Sequence, residues 1–130
     1  PEELLILASL VEKETGKGSD RPLIAGVFIN RLNKGMLLQT DPTVIYGLGD
    51  RYEGSLHKQD LLTDTPWNTY TRTGLPPTPI AMPGKAALMA TVNPAHTQAL
   101  YFVARGDGSS QFSTTLQEHN QAVQHFIRHQ

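Results

Sequence analysis

A carboxyl group on the apolar side of a helix is well placed to move a proton, and the run Leu10-Val11-Glu12-Lys13-Glu14-Thr15 supplies one. At about 100° per residue, Leu4, Leu7, Ala8, Leu10 and Val11 cover one arc of a helix. Glu14 falls inside that arc, one turn beyond Leu10 and two beyond Leu7. Glu12 sits at the arc's margin and Lys13 points to solvent with Glu2 and Ser9, so the periodicity selects Glu14 over Glu12. A carboxyl set against hydrocarbon loses solvation when it ionises, so its pKa rises and it can hold a proton near neutral pH, as a general acid must. The same spacing also suits a helix-end glutamate that snorkels to water or bonds a backbone amide.

The elements that must position this acid are legible in outline. The first helix covers residues 2–15 and ends at Gly16-Lys17-Gly18. Asp20 is expected to cap a second helix, with Pro22 in its first turn, the stripe Ile24, Val27, Phe28 and Leu32 facing the core, and Gly35 as its stop, antiparallel to the first. Asp41-Pro42 opens a short helical turn through Tyr46, closed by Gly47 and Gly49, which puts Gln39 and Asp41 where an extended segment becomes a helix. Residues 61–84 carry Pro66, Pro76, Pro77, Pro79 and Pro83 and read as a long rigid loop anchored by Trp67, Tyr70, Leu75 and Ile80. A helix over 85–92 follows, then a hairpin of strands 99–104 and 111–113 turned by Gly106-Asp107-Gly108. Thr115 and Glu118 form a capping box for a last helix whose stripe Val123, Phe126 and Ile127 is expected to dock on the core. The fold class expected is α+β, helices packed on a small, largely antiparallel sheet, with the first helix, the 39–46 segment and the proline-rich loop walling a cleft.

Composition narrows the partners. A chain of 130 residues with 38% hydrophobic content forms one domain around one core. Eleven basic against twelve acidic side chains, a net charge of −1, argue against duplex nucleic acid or an anionic membrane surface and suit a neutral polymer such as a glycan. The absence of cysteine excludes a disulfide framework and thiolate metal sites and leaves the compartment unreported. The chain begins at Pro1, contains no apolar run long enough to span a bilayer and shows no signal peptide, so it reads as a piece of a longer protein.

Several blocks carry a family resemblance: Ala8-Ser9-Leu10-Val11-Glu12-Lys13-Glu14-Thr15, Val27-Phe28-Ile29-Asn30-Arg31-Leu32, and above all Leu38-Gln39-Thr40-Asp41-Pro42-Thr43-Val44-Ile45-Tyr46-Gly47. With Asn68-Thr69-Tyr70, Gly74-Leu75-Pro76-Pro77, Tyr101-Phe102-Val103 and Glu118-His119-Asn120, in that order, the chain resembles the carboxy-terminal catalytic domain of the YceG-like endolytic murein transglycosylases. The resemblance implies a peptidoglycan lyase that cuts between N-acetylmuramic acid and N-acetylglucosamine without water, leaving 1,6-anhydro ends and terminating or trimming glycan strands. It puts the catalytic glutamate on Glu14 and implies no cofactor. It also implies a full-length protein with an upstream membrane anchor and LysM-like domain, on the periplasmic face of the bacterial inner membrane, with peptidoglycan synthases as partners. Two positions depart from the family pattern, Thr78 where glycine is usual and Ser110 where histidine is usual.

A glycan beside Glu14 needs hydrogen-bonding groups, for which the candidates are Gln39, Thr40, Asp41, Asn68, Thr69 and Tyr70. Gln39, Asn68 and Tyr70 suit glycan contact better than the alternative, bracing the long loop through its backbone, and Asp41 before Pro42 suits a helix cap better than a catalyst. Tyr46, Trp67 and Tyr101 fit either sugar stacking or the core. His125 and His129 have a helical spacing that could bind metal, but no third ligand is in view and no metal site is expected, nor is one among His57, His96 and His119. A lysozyme-type hydrolase, with Asp41 or Asp64 as second carboxylate, and a non-catalytic glycan-binding module are the competing readings.

Overall fold

The apolar face of the first helix organises the molecule. In the computed structural model, which describes residues 1–127, α1 (Glu2–Glu14) buries Leu7, Leu10 and Val11 against Ile24, Ala25 and Phe28 of α2 (Arg21–Asn33) and Ala87 and Ala90 of α5 (Lys85–Val92). These three helices pack on one another, and Leu38 and Ile80 complete the core from irregular segments. Between them lie α3 (Asp41–Leu48), which runs two residues beyond the expected turn, and α4 (Lys58–Leu62), a single turn that the sequence did not announce. The strands β1 (Tyr101–Ala104) and β2 (Ser110–Ser113) form an antiparallel hairpin in which Phe102 faces Phe112. Phe102 meets Phe28 edge-on at 6.0 Å, joining the hairpin to the helical core. Finally, α6 (Leu116–Phe126) packs on both strands. The architecture is α+β, six helices with a two-stranded antiparallel sheet among the described residues. None of these helices is long and apolar enough to cross a membrane.

Three expectations are corrected. Ser9, assigned to solvent, is fully buried, because its hydroxyl meets its own needs: it donates to the Ile6 carbonyl at 2.6 Å and accepts from the Ile80 N–H at 3.1 Å. Asp20 stands before α2 but makes no side-chain cap; its carboxylate instead accepts from the Ser110 N–H at 2.9 Å. This ties the α1–α2 connection to the hairpin, where Gly16 approaches so closely that a Cβ would lie 2.5 Å from the Gly108 carbonyl oxygen. The last helix keeps its Thr115–Glu118 capping box, yet none of its residues is buried, and Ile127 beyond its end is half exposed. Its stripe faces a cavity instead of a closed core, with Val123 and Ile127 in the lining.

The proline-rich stretch is ordered by polar contacts with α1 as well as by its anchors. Ile80 is buried, Trp67 and Leu75 pack on the core, and Trp67 Nε1 donates to Thr78 Oγ1 at 2.9 Å. Glu12, at the margin of the helix face, accepts from the Gly84 N–H at 2.7 Å, where the loop enters α5. Replacing Ser9 with alanine removes the acceptor for a buried backbone N–H, so Ser9→Ala should destabilise the chain by about 1–3 kcal/mol. Urea denaturation measures this, and the added hydrogen exchange should concentrate at Ile80.

Candidate active site

Glu14 is the last residue of α1 and lines a cavity of about 450 Å³. The cavity is lined by the 38–41 segment and Tyr70 together with residues of α2, the hairpin and α6, and Arg31 of α2 donates to the Leu37 carbonyl and to Gln39 Oε1. Part of the Glu14 side chain reaches this space, but protein crowds its carboxyl. Burial is the main cause that raises its pKa from 4.5 to about 7, and the negative charge of Asp41 acts in the same direction. The C-terminal end of a helix also disfavours a negative charge. Thr40 opposes these effects by offering its hydroxyl to Glu14. That contact is loose, since the buried Thr40 Oγ1 makes no fully formed hydrogen bond among the described residues.

The segment before α3 is held in an unusual shape. Gln39 adopts φ 51°, the left-handed region that a side chain enters only at a cost of about 1–2 kcal/mol. Its N–H donates to the Thr69 carbonyl at 3.2 Å, and the next N–H, of Thr40, donates to Thr69 Oγ1 at 3.0 Å. This leaves the Gln39 side chain exposed at the cavity edge and turns Asp41 toward it. Asp41 is the first residue of α3 and makes no side-chain cap, which corrects the capping expectation. Its carboxylate is engaged elsewhere, accepting the Tyr70 hydroxyl at 2.5 Å. Burial, that hydrogen bond and the nearby charges of Asp41 and Glu14 push the Tyr70 pKa up, so Tyr70 stays protonated and donates.

Of the residues expected at the site, the structure brings Glu14, Gln39, Thr40, Asp41 and Tyr70 to one cavity and sets Asn68 and Thr69 behind it. Asn68 is buried and uses its whole amide: Nδ2 donates to the Leu61 and Thr63 carbonyls, and Oδ1 accepts from the Tyr70 and Thr71 N–H groups. Thr69 shares its hydroxyl with Thr43 at 2.8 Å and with the Thr40 backbone. Both residues brace the wall. Trp67 packs on the core and meets exposed Tyr46 edge-on at 5.5 Å, away from the cavity. Asp64 is also outside it, exposed and paired with Arg72 at 3.0 Å. The arginine and a hydrogen bond from Thr71 hold its pKa at about 2. His129 lies outside the described residues, so the His125–His129 pair has no structural description.

The part of the lining from α2, the hairpin and α6 was not read from the sequence as a site. Arg31 is buried on α2, its guanidinium 5.0 Å from the centre of the Tyr101 ring, and His119 stacks on the same ring at 5.0 Å. Arg31 and His119 line the cavity, with Phe28, Phe102, Val123 and Ile127 supplying apolar surface. Arg31 had a signal: it lies one turn past Phe28 and two past Ile24, a charge on an apolar stripe, as Glu14 is. His119 had no such periodic signal beyond its place in the Glu118-His119-Asn120 block, because its position depends on how α6 meets the hairpin. Ser110 also reaches the lining.

A model of the YceG-like family matches residues 1–125. The chain is 48% identical over 125 residues to an endolytic murein transglycosylase of Bacillus subtilis, covering 96% of this chain and 34% of that protein. It is 39% identical over 126 residues to an endolytic murein transglycosylase of Streptococcus pneumoniae, covering 93% of this chain and 23% of the relative. The chain thus spans about a third or less of these relatives' length. A crystal structure of a yceG-like protein from Listeria monocytogenes superposes with a TM-score of 0.87 at 45% identity, over 92% of this chain and 39% of that one.

The raised pKa of Glu14 has a stability consequence. The folded chain holds a proton here that the unfolded chain releases between pH 4.5 and about 7, so stability falls as pH rises through that window and is level above it. Glu14→Gln removes the ionisation and should be more stable than wild type at about pH 8, by on the order of 2–3 kcal/mol. The difference should vanish near pH 4, and Asp41→Asn should recover part of it at the higher pH. Urea denaturation at the two pH values checks both.

Proposed function

The chain belongs to the YceG-like family, and on that premise we propose that it carries the catalytic centre of an endolytic lytic transglycosylase acting on peptidoglycan. The observation that supports this most is the Glu14 carboxyl, crowded by protein and with its pKa raised to about 7, at a cavity that also offers hydrogen-bonding groups and apolar surface. In the proposed reaction Glu14 gives its proton to the glycosidic oxygen as the bond from muramic acid C1 breaks. The 6-hydroxyl of the same muramic acid then attacks C1, and the Glu14 carboxylate takes the hydroxyl proton. The proton count returns to its start, no water is consumed, and the new end is a 1,6-anhydro ring. A pKa near 7 suits a group that must serve as acid and then as base. Asp41 would tune that acid by its charge, and Tyr70 would hold Asp41 in place. Gln39 is the polar group offered to the glycan from this segment, while Thr40 keeps its buried hydroxyl beside Glu14 and Asn68 and Thr69 support both from behind.

One observation favours a second reading: Asp41 lines the same cavity and interacts with Glu14, as the partner carboxylate of a lysozyme-type hydrolase would. Asp64, outside the cavity, does not suit that role. For the longer protein of which this chain would be part, the proposal extends to an upstream anchor, the periplasmic face of the inner membrane and glycan strands made by neighbouring synthases.

Digestion of purified peptidoglycan, with the new chain ends identified by mass spectrometry, separates the readings. Ends lighter by one water than the reducing sugar are expected. Glu14→Gln should lower their rate of formation by at least about a hundredfold. Reducing ends would favour the hydrolase, and full activity in Glu14→Gln would overturn both.

A further inference from the structure

Arg31 is more exactingly held than a structural arginine requires, and one of its nitrogens is left over. It is 7% exposed; Nε donates to the Leu100 carbonyl at 2.6 Å and Nη1 to the Leu37 carbonyl at 2.8 Å, while its guanidinium lies over Tyr101. Nη2 has no hydrogen-bond partner among the described residues, although the residue lines the cavity. Beside it His119, stacked on the same tyrosine, has a buried Nδ1 that also lacks a partner among the described residues. Burial and the Arg31 charge hold the His119 pKa below its usual value, so near neutral pH this wall presents one cation and a neutral imidazole. A largely desolvated cation with an N–H donor left over favours an occupant that supplies acceptors. The surroundings are apolar, from Phe28, Phe102, Val123 and Ile127. The complementary group is therefore a short apolar arm that ends in carbonyl oxygens.

The two sugars of peptidoglycan differ by such an arm, the methyl-bearing 3-O-lactyl group of muramic acid. We propose that Arg31, with His119 beside it, reads the lactyl carbonyl group and so selects muramic acid over glucosamine in the cavity that holds Glu14. The assignment rests on the peptidoglycan reading above. The oxygen can come from a free lactyl carboxylate on a denuded strand or from the amide carbonyl of a strand bearing peptide stems.

The test is calorimetric binding to Glu14→Gln, which cannot turn the ligand over. Three tetrasaccharides are compared: alternating glucosamine and muramic acid with free lactyl carboxylates, the same with lactyl methylamides, and a chitin tetramer. At least one muramoyl ligand should bind about tenfold more tightly than the chitin tetramer. Arg31→Met in the same background should erase that ratio, whereas a purely structural arginine would weaken all three ligands alike. If Arg31→Met does not fold, His119→Phe, which keeps the stack on Tyr101, should lower the ratio. A preference confined to the carboxylate and weakened by salt identifies the free acid as the source, and an equal preference for the methylamide identifies the stem-bearing carbonyl. No preference in Glu14→Gln, or a preference unchanged in the folded variant, overturns the assignment. Wild-type digestion of peptidoglycan without a binding preference overturns it alone, whereas neither digestion nor binding overturns the reading beneath it.

Discussion

The burial of one carboxyl at the end of α1 is the constraint around which the site is arranged. Desolvation makes ionised Glu14 unfavourable, and Asp41 adds repulsion, so the group stays protonated to about pH 7. Holding an acid this way requires a rigid surround, because a mobile wall would admit water and restore the ordinary pKa. That rigidity starts with the core. Leu7, Leu10 and Val11 fix α1 against α2 and α5, so the position of its last residue follows from helix geometry.

The polar wall is stiffened by hydrogen bonds that do not face the cavity. Asn68 spends its amide on four backbone groups, and Thr69 joins the long loop to the backbone of Thr40. These contacts hold Gln39 in a left-handed conformation that the isolated segment would leave. Strain at Gln39 is thus offset by the buried network behind it, and Gln39 and Asp41, the latter held by the Tyr70 hydroxyl, are presented to the cavity. The rest of the lining depends on a different device, a hairpin tied to the α1–α2 connection by Asp20 and carrying α6 on its strands.

Residues whose placement depends on a local period were legible before the fold was known. Glu14 was visible because a helix of 3.6 residues per turn puts it on the buried arc, and the ends of α5 and the capping box of α6 follow local chemistry in the same way. Ser9 was misplaced because a small hydroxyl can be buried wherever two partners meet it, here Ile6 in its own helix and Ile80 far along the chain. Asn68 and Thr69 read as candidate glycan contacts because their residue types suit either task, and only the tertiary partners show them turned inward. His119 and Tyr101 could not be joined to Arg31 from spacing, since three separate elements meet to form that stack.

The protonation of Glu14 can be observed directly by labelling glutamate side-chain carbons with ¹³C and following the Glu14 carboxyl resonance, assigned from its loss in Glu14→Gln, across a pH titration. A midpoint near 7, moved downward in Asp41→Asn, is the result expected of a carboxyl governed by burial and by Asp41. A midpoint near the ordinary 4.5, insensitive to Asp41, would mean that water solvates Glu14 freely, and the chemistry assigned to it would lose its physical basis.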